Sequence, residues 1–97
     1  MLYTVNKSPL STNSLASVLR IAPAGAPILL YEDGVYAAMP GAMTEPAVAS
    51  AMANHPIYAL DADLEARGIR TVIEGLQVIG YDGFVELVEQ HDVAPWL

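Results

Sequence analysis

Ninety-seven residues suffice for one domain that buries about two-thirds of the surface of its unfolded chain, and residues 1–97 are read here as a single unit. Hydrophobic residues make up 54% and charged residues only 15%, against about 25% charged in an ordinary soluble domain. Part of the surface is therefore expected to be covered by other chains. Four basic against eleven acidic residues give a net charge of −7 with no cysteine. That balance excludes a basic stripe for direct nucleic-acid binding, and it excludes disulfides, thiolate metal sites and thiol chemistry on this chain.

The charge is uneven. Lys7 and Arg20 against Glu32, Asp33 and Glu45 leave −1 in residues 1–48, whereas Arg67 and Arg70 against eight acids leave −6 in residues 49–97. The longest charge-free stretch, Pro46 to Leu60, is interrupted by Asn54, His55 and Pro56, so it falls short of the roughly 20 apolar residues of a membrane span. The opening LYTV lacks the basic region and long apolar run of an export signal, and a cytoplasmic location is expected.

Leu2–Val5 predicts a first strand. The cluster Ser11–Thr12–Asn13–Ser14 suits the start of a helix, and Leu15, Val18, Leu19 and Ala22 then recur on one helical face until Pro23 and Gly25 stop it. Pro27–Tyr31 is a continuously apolar run, as for a strand covered on both faces. Glu32–Asp33–Gly34 follows it, and Val35–Met39 makes about one helical turn before Pro40–Gly41. A helix beginning at Pro46 runs to about Asn54. Ile57–Leu60 is a third strand, Asp61 caps a short helix ended by Gly68, Thr71–Ile73 is ambiguous and Leu76–Ile79 is a fourth strand. Asp82 starts a last helix with Phe84, Leu87, Val88 and His91 on one face, and that face is expected to pack mostly on the sheet, with His91 a packed or interface residue. Val93, Pro95, Trp96 and Leu97 then read as an apolar tail. Little of the chain is left to cover Trp96 and Leu97, so the tail is expected to dock on another chain or fold back beside an interface.

Alternation of strands and helices predicts an α/β three-layer sandwich with a mainly parallel sheet of four to five strands. Right-handed crossovers place every strand's carboxyl end on one edge, where ligands of such sheets usually sit. Asn6, Lys7 and Ser8, then Glu32 and Asp33, then Asp61, then Tyr81 and Asp82 reach that edge. Lys7, Asp33, Asp61 and Asp82 are the candidate acid/base or metal cluster. The competing and favoured reading makes the three aspartates caps of helices or turns. A phosphoacceptor site fails because Asn6–Lys7 stands where an acidic pair is needed. Gly75, Gly80 and Gly83 have the wrong spacing for a dinucleotide cradle. Asp61-x-Asp63-x-Glu65 begins like a calcium loop but has Ala66 and Val72 at its glycine and glutamate positions. His55 and His91 have no ligand pattern around them, and no serine sits in a nucleophile elbow. The residues give no positive sign of a catalytic centre, metal or cofactor.

The segments LYTVNKSP (2–9), LLYEDGVYAA (29–38), IYALDADLEARG (57–68) and VIGYDGFVELVEQH (78–91), together with Trp96, occur in one register across nearly the whole chain. In these blocks the chain resembles the DsrH/TusB family of sulfur-relay subunits. The resemblance implies a DsrE-type, flavodoxin-like sandwich. It also implies two homologous partners, DsrE/TusD-like and DsrF/TusC-like, in an α2β2γ2 heterohexamer that passes sulfane sulfur as a cysteine persulfide. The destination is 2-thiolation of the tRNA wobble uridine in enteric-type bacteria, or the oxidative dissimilatory pathway in sulfur oxidisers, to whose members the NKSP and EDGVYAA wording is closer. The persulfide cysteine belongs to the DsrE/TusD-like partner, so no catalytic residue carries over. Val18 stands where some members have a first-helix cysteine, and a sulfur-handling role there is excluded. The expectation is a non-catalytic subunit. The rival from another class is a stand-alone small-molecule-binding domain using Lys7, Asp33, Asp61 and Asp82.

Overall fold

The computed structural model describes residues 1–96. Five strands form one sheet in the order β4-β3-β2-β1-β5: β1 Leu2–Val5, β2 Ile28–Leu30, β3 Ile57–Leu60, β4 Gln77–Ile79 and β5 Val93–Trp96. Every pairing is parallel. The helices are α1 Ser14–Ile21, a 3-10 helix Glu32–Ala38, α2 Glu45–Ala51, α3 Asp61–Ala66 and α4 Tyr81–Gln90.

The topology dictates the layers. From β1 to β4 the chain steps across the sheet in one direction, so right-handed crossovers put α1, the 3-10 helix, α2 and α3 on one face. From β4 it returns past β1 to β5, and α4 must lie on the other. The side chains obey this division. Tyr3, Val5, Ile28, Leu30, Ile57 and Ala59 pack with Leu15, Val18, Val35, Val48 and Leu64. Leu2 and Leu29, pointing oppositely along the same strands, pack with Leu87, and Tyr58, Ile79 and Phe84 flank them. The α/β three-layer sandwich is thus observed, with an all-parallel sheet.

The C-terminal segment corrects the sequence reading. Val93–Trp96 is a strand, in register Leu2↔Val93 to Val5↔Trp96, and the Leu2 N–H donates to the Asp92 carbonyl (2.7 Å). Pro95 removes one donor, which a sheet accepts at its edge. Trp96 is half-buried against the larger core, its ring 6.1 Å from that of Tyr3. The cover thought to be missing is supplied by the chain's own first strand. Leu97 lies outside the described residues.

The last helix differs in detail. Leu87 is buried and Phe84 half-buried, but Val88 is exposed and His91 stands just past the helix end, half-buried. Leu87 is the one fully buried residue of this helix, and Val88, Glu89 and Gln90 beyond it face solvent. The capping role read for the aspartates is also corrected. The residues preceding the 3-10 helix, α3 and α4 are Tyr31, Leu60 and Gly80, with no side-chain cap. Asp61 lies one position further in and Asp33 and Asp82 two, all within the first turn, where a negative charge meets the helix dipole without closing a cap.

Candidate functional site

Parallel register brings the ends of β1 to β4 to one edge, since Val5 aligns with Leu30, Leu30 with Ala59 and Leu60 with Ile79. The segments carrying Lys7, Asp33, Asp61 and Asp82 therefore share that edge, as topology requires. Their side chains do not form one cluster. Asp33 is held by Arg67, whose Nη2 and Nε donate to Asp33 Oδ1 at 2.8 and 3.0 Å. Asp61 lies beside Gly80. Lys7 and Asp82 are exposed, and among the described residues neither enters an ion pair.

The edge is organised instead around Arg67, at the end of α3. Besides Asp33, its Nη1 donates to the Asp63 carbonyl (3.1 Å) and lies 3.8 Å from Asp63 Oδ1. Its guanidinium stands 6.0 Å from the Tyr36 ring centre. The hydrogen bond to Asp33 holds the guanidinium pKa above its ordinary value, so it stays a fixed cation. The second carboxylate oxygen of Asp63 accepts the Glu32 N–H (2.7 Å). That bond fixes Glu32 at φ 49°, a left-handed conformation unfavourable for a side chain other than glycine. Arg67 and Asp63 thus clamp the β2 exit loop to α3. Neither was among the candidate residues, although their i,i+4 spacing is legible as a helix-face ion pair.

Below the clamp, Gly34 lets the 3-10 helix touch β1: a Cβ there would run into the Val5 carbonyl. Next to it the edge opens into an apolar shelf of about 290 Å³ between Pro9, Leu10, Tyr36, Met39, Met43 and Thr44. Leu10 is 82% and Met43 90% exposed. The buried Asn6 Oδ1 and Thr44 Oγ1 find no hydrogen-bond partner in the protein. His55 is remote from all this. It is buried at the start of β3, with Nδ1 2.9 Å from the Ala26 carbonyl, which only accepts, so that nitrogen carries the proton. It serves as a packed core histidine.

The edge therefore presents a clamped loop and exposed apolar side chains, with Asp33 and Asp63 both paired to Arg67. Such a surface suits a protein contact rather than proton transfer.

Comparison with known proteins yields a family model, described as DsrH like protein, that matches residues 7–94. Protein TusB of Serratia proteamaculans (strain 568) is 44% identical over 94 residues, covering 94% of each chain. Protein TusB of Escherichia coli (strain K12) is 38% identical over the same share. Among solved structures, the crystal structure of the ychN protein from E. coli aligns with a TM-score of 0.83 at 18% identity, over 97% of this chain and 96% of that one. MTH1491 from Methanobacterium thermoautotrophicum, a protein of unknown function, aligns with a TM-score of 0.71 at 15% identity, over the same shares. At these identities the structural likenesses speak for the fold alone.

Proposed function

The chain belongs to the DsrH family, and from that premise we propose that it is a non-catalytic subunit of a cytoplasmic sulfur-relay complex that feeds thiolation of the tRNA wobble uridine. The observation that carries this reading is the match to TusB proteins of enteric bacteria over nearly the whole chain. Their source favours tRNA thiolation over oxidative sulfur metabolism as the destination. Two relatives of the same fold, DsrE/TusD-like and DsrF/TusC-like, complete an α2β2γ2 assembly.

The chemistry agrees with a chain that has no cysteine. Persulfide relay moves the outer sulfur of one cysteine persulfide to an incoming thiolate, and the donor cysteine leaves as a thiolate. No electron is taken up and no acid or base from a third chain is required. A persulfide is readily lost to competing thiols, so a thiol-free neighbour shields it without accepting the sulfur. The shelf at Leu10, Met39 and Met43 is the surface this chain offers to the sulfur-carrying partner, and the Arg67 clamp keeps the adjoining loop in shape.

The rival reading, a small-molecule site using Lys7, Asp33, Asp61 and Asp82, is weakened by the commitment of Asp33 to Arg67. The decisive experiment loads the partner's cysteine with sulfane sulfur, with and without this chain, and follows onward transfer. Lower loading or transfer in its absence supports the proposal. Equal rates would contradict it.

A further inference from the structure

The two edges of the sheet are not treated alike. At one edge β5 carries Pro95, a residue that deters pairing with another strand. At the other, β4 is Gln77–Val78–Ile79, with no proline and no charge, and Val78 is 49% exposed. Beside β4, on the face that carries α3, lies an open groove of about 520 Å³. Its wall is apolar, from Leu64, Ile69 and Val78, and its rim is charged at two places. Asp61 and Glu65 stand on α3, which starts at the carboxyl edge. Arg70 lies past the end of α3, in the segment leading back to the start of β4 at the opposite edge.

We propose that this groove is an isologous interface between two copies of this chain, with Val78 at its centre. The argument is charge complementarity of the rim with itself. A two-fold axis normal to the sheet, midway between the two copies of Val78, sets the β4 strands antiparallel with both grooves on one face. The Arg70 end of one copy then meets the Asp61 and Glu65 end of the other, twice over. A self-complementary patch of this kind is what a closed two-fold contact requires. A two-fold along the strands would set the two edges parallel but leave the two grooves on opposite faces, where their rims do not meet. Because β4 is short, few main-chain groups are available, and the apolar wall carries most of the contact. The charge of −7 on each copy opposes association at long range, so the dimer is of modest affinity and best measured near 0.15 M salt, where the screening length is about 8 Å. This interface goes beyond the relay role and does not depend on it.

The experiment is sedimentation equilibrium of the full chain. The wild type gives a monomer–dimer equilibrium. Val78→Lys places two ammonium groups at the axis and leaves a monomer, while its circular dichroism matches the wild type because the residue is at the surface. Arg70→Glu opposes acids to acids and raises the dimer dissociation constant about tenfold or more. Adding Asp61→Lys and Glu65→Lys to Arg70→Glu inverts the whole rim and restores the dimer, which a local folding effect of Arg70 cannot explain. A wild-type chain that stays monomeric at millimolar concentration would overturn the proposal. So would a dimer indifferent to Val78→Lys, or an inverted rim that fails to restore it. Sulfur loading of the partner in the same variants reads the relay role separately.

Discussion

At the scale of single residues, two positions hold the carboxyl edge. Gly34 is required by proximity, since any side chain there meets the Val5 carbonyl. Main chain does not yield as a flexible side chain does, so Gly34→Ala costs at least the roughly 1–3 kcal/mol of ordinary overpacking. Denaturant unfolding will show this as a lower midpoint. The Arg67–Asp33 pair is different, because Asp33 is largely exposed and an exposed pair contributes only about 0.2–1 kcal/mol. Arg67→Ala should therefore barely move the unfolding midpoint, yet it frees the loop in which Asp63 holds Glu32. Faster amide exchange at Glu32–Gly34, with global stability nearly unchanged, is the expected result. Part of this was legible. The Asp63–Arg67 spacing stands in the sequence, but the partner Asp33 comes from 34 residues away, and only the adjacency of β2 and β3 brings it near. The segments after β2, β3 and β4, which carry the acids, share one edge because parallel topology alone dictates that. Whether they meet depends on where Arg67 points, which no local pattern encodes.

At the scale of elements, β5 carries the lesson. A sheet accepts Pro95 inside a short apolar run only at its edge, and Val93–Trp96, whose last residues read as an apolar tail, is such a strand. The residue pattern is that of an edge strand, with Ala94 and Trp96 toward the core and Val93 and Pro95 exposed. Its pairing with β1 spans nearly the whole chain, which local reading cannot see. The strands β1, β2 and β3 were legible because each is a short, mostly apolar run rich in strand-favouring residues and followed by polar or turn residues. The correction changes a prediction. Trp96 packs on Tyr3, so Trp96→Ala weakens this chain's own fold, by about 2 kcal/mol for a half-buried aromatic side chain. Thermal unfolding of the isolated chain checks it. A mutant as stable as wild type, impaired only in assembly, would return Trp96 to a purely intermolecular role.

At the scale of the whole molecule, the low charge content finds its counterpart in exposed apolar surface at two separate places. One is the shelf with Leu10 and Met43 at the carboxyl edge, and the other is the groove beside Val78. The first belongs to the proposed partner and the second to a second copy, so the two are separable by mutation. Leu10→Asp with Met43→Asp should abolish co-purification with the two partner subunits while leaving the chain folded, because both side chains are almost fully exposed. Val78→Lys should not affect partner binding through the shelf. The central claim is that this chain is a cysteine-free subunit of a sulfur-relay assembly. Its most direct test is native mass spectrometry of the complex purified from its own cell, followed by persulfide mapping of each subunit. The account predicts equal copies of three homologous chains, with the sulfane sulfur on a partner's cysteine and none on this one. Recovery of this chain free of both partners, while the partners assemble and carry sulfur without it, would contradict the account.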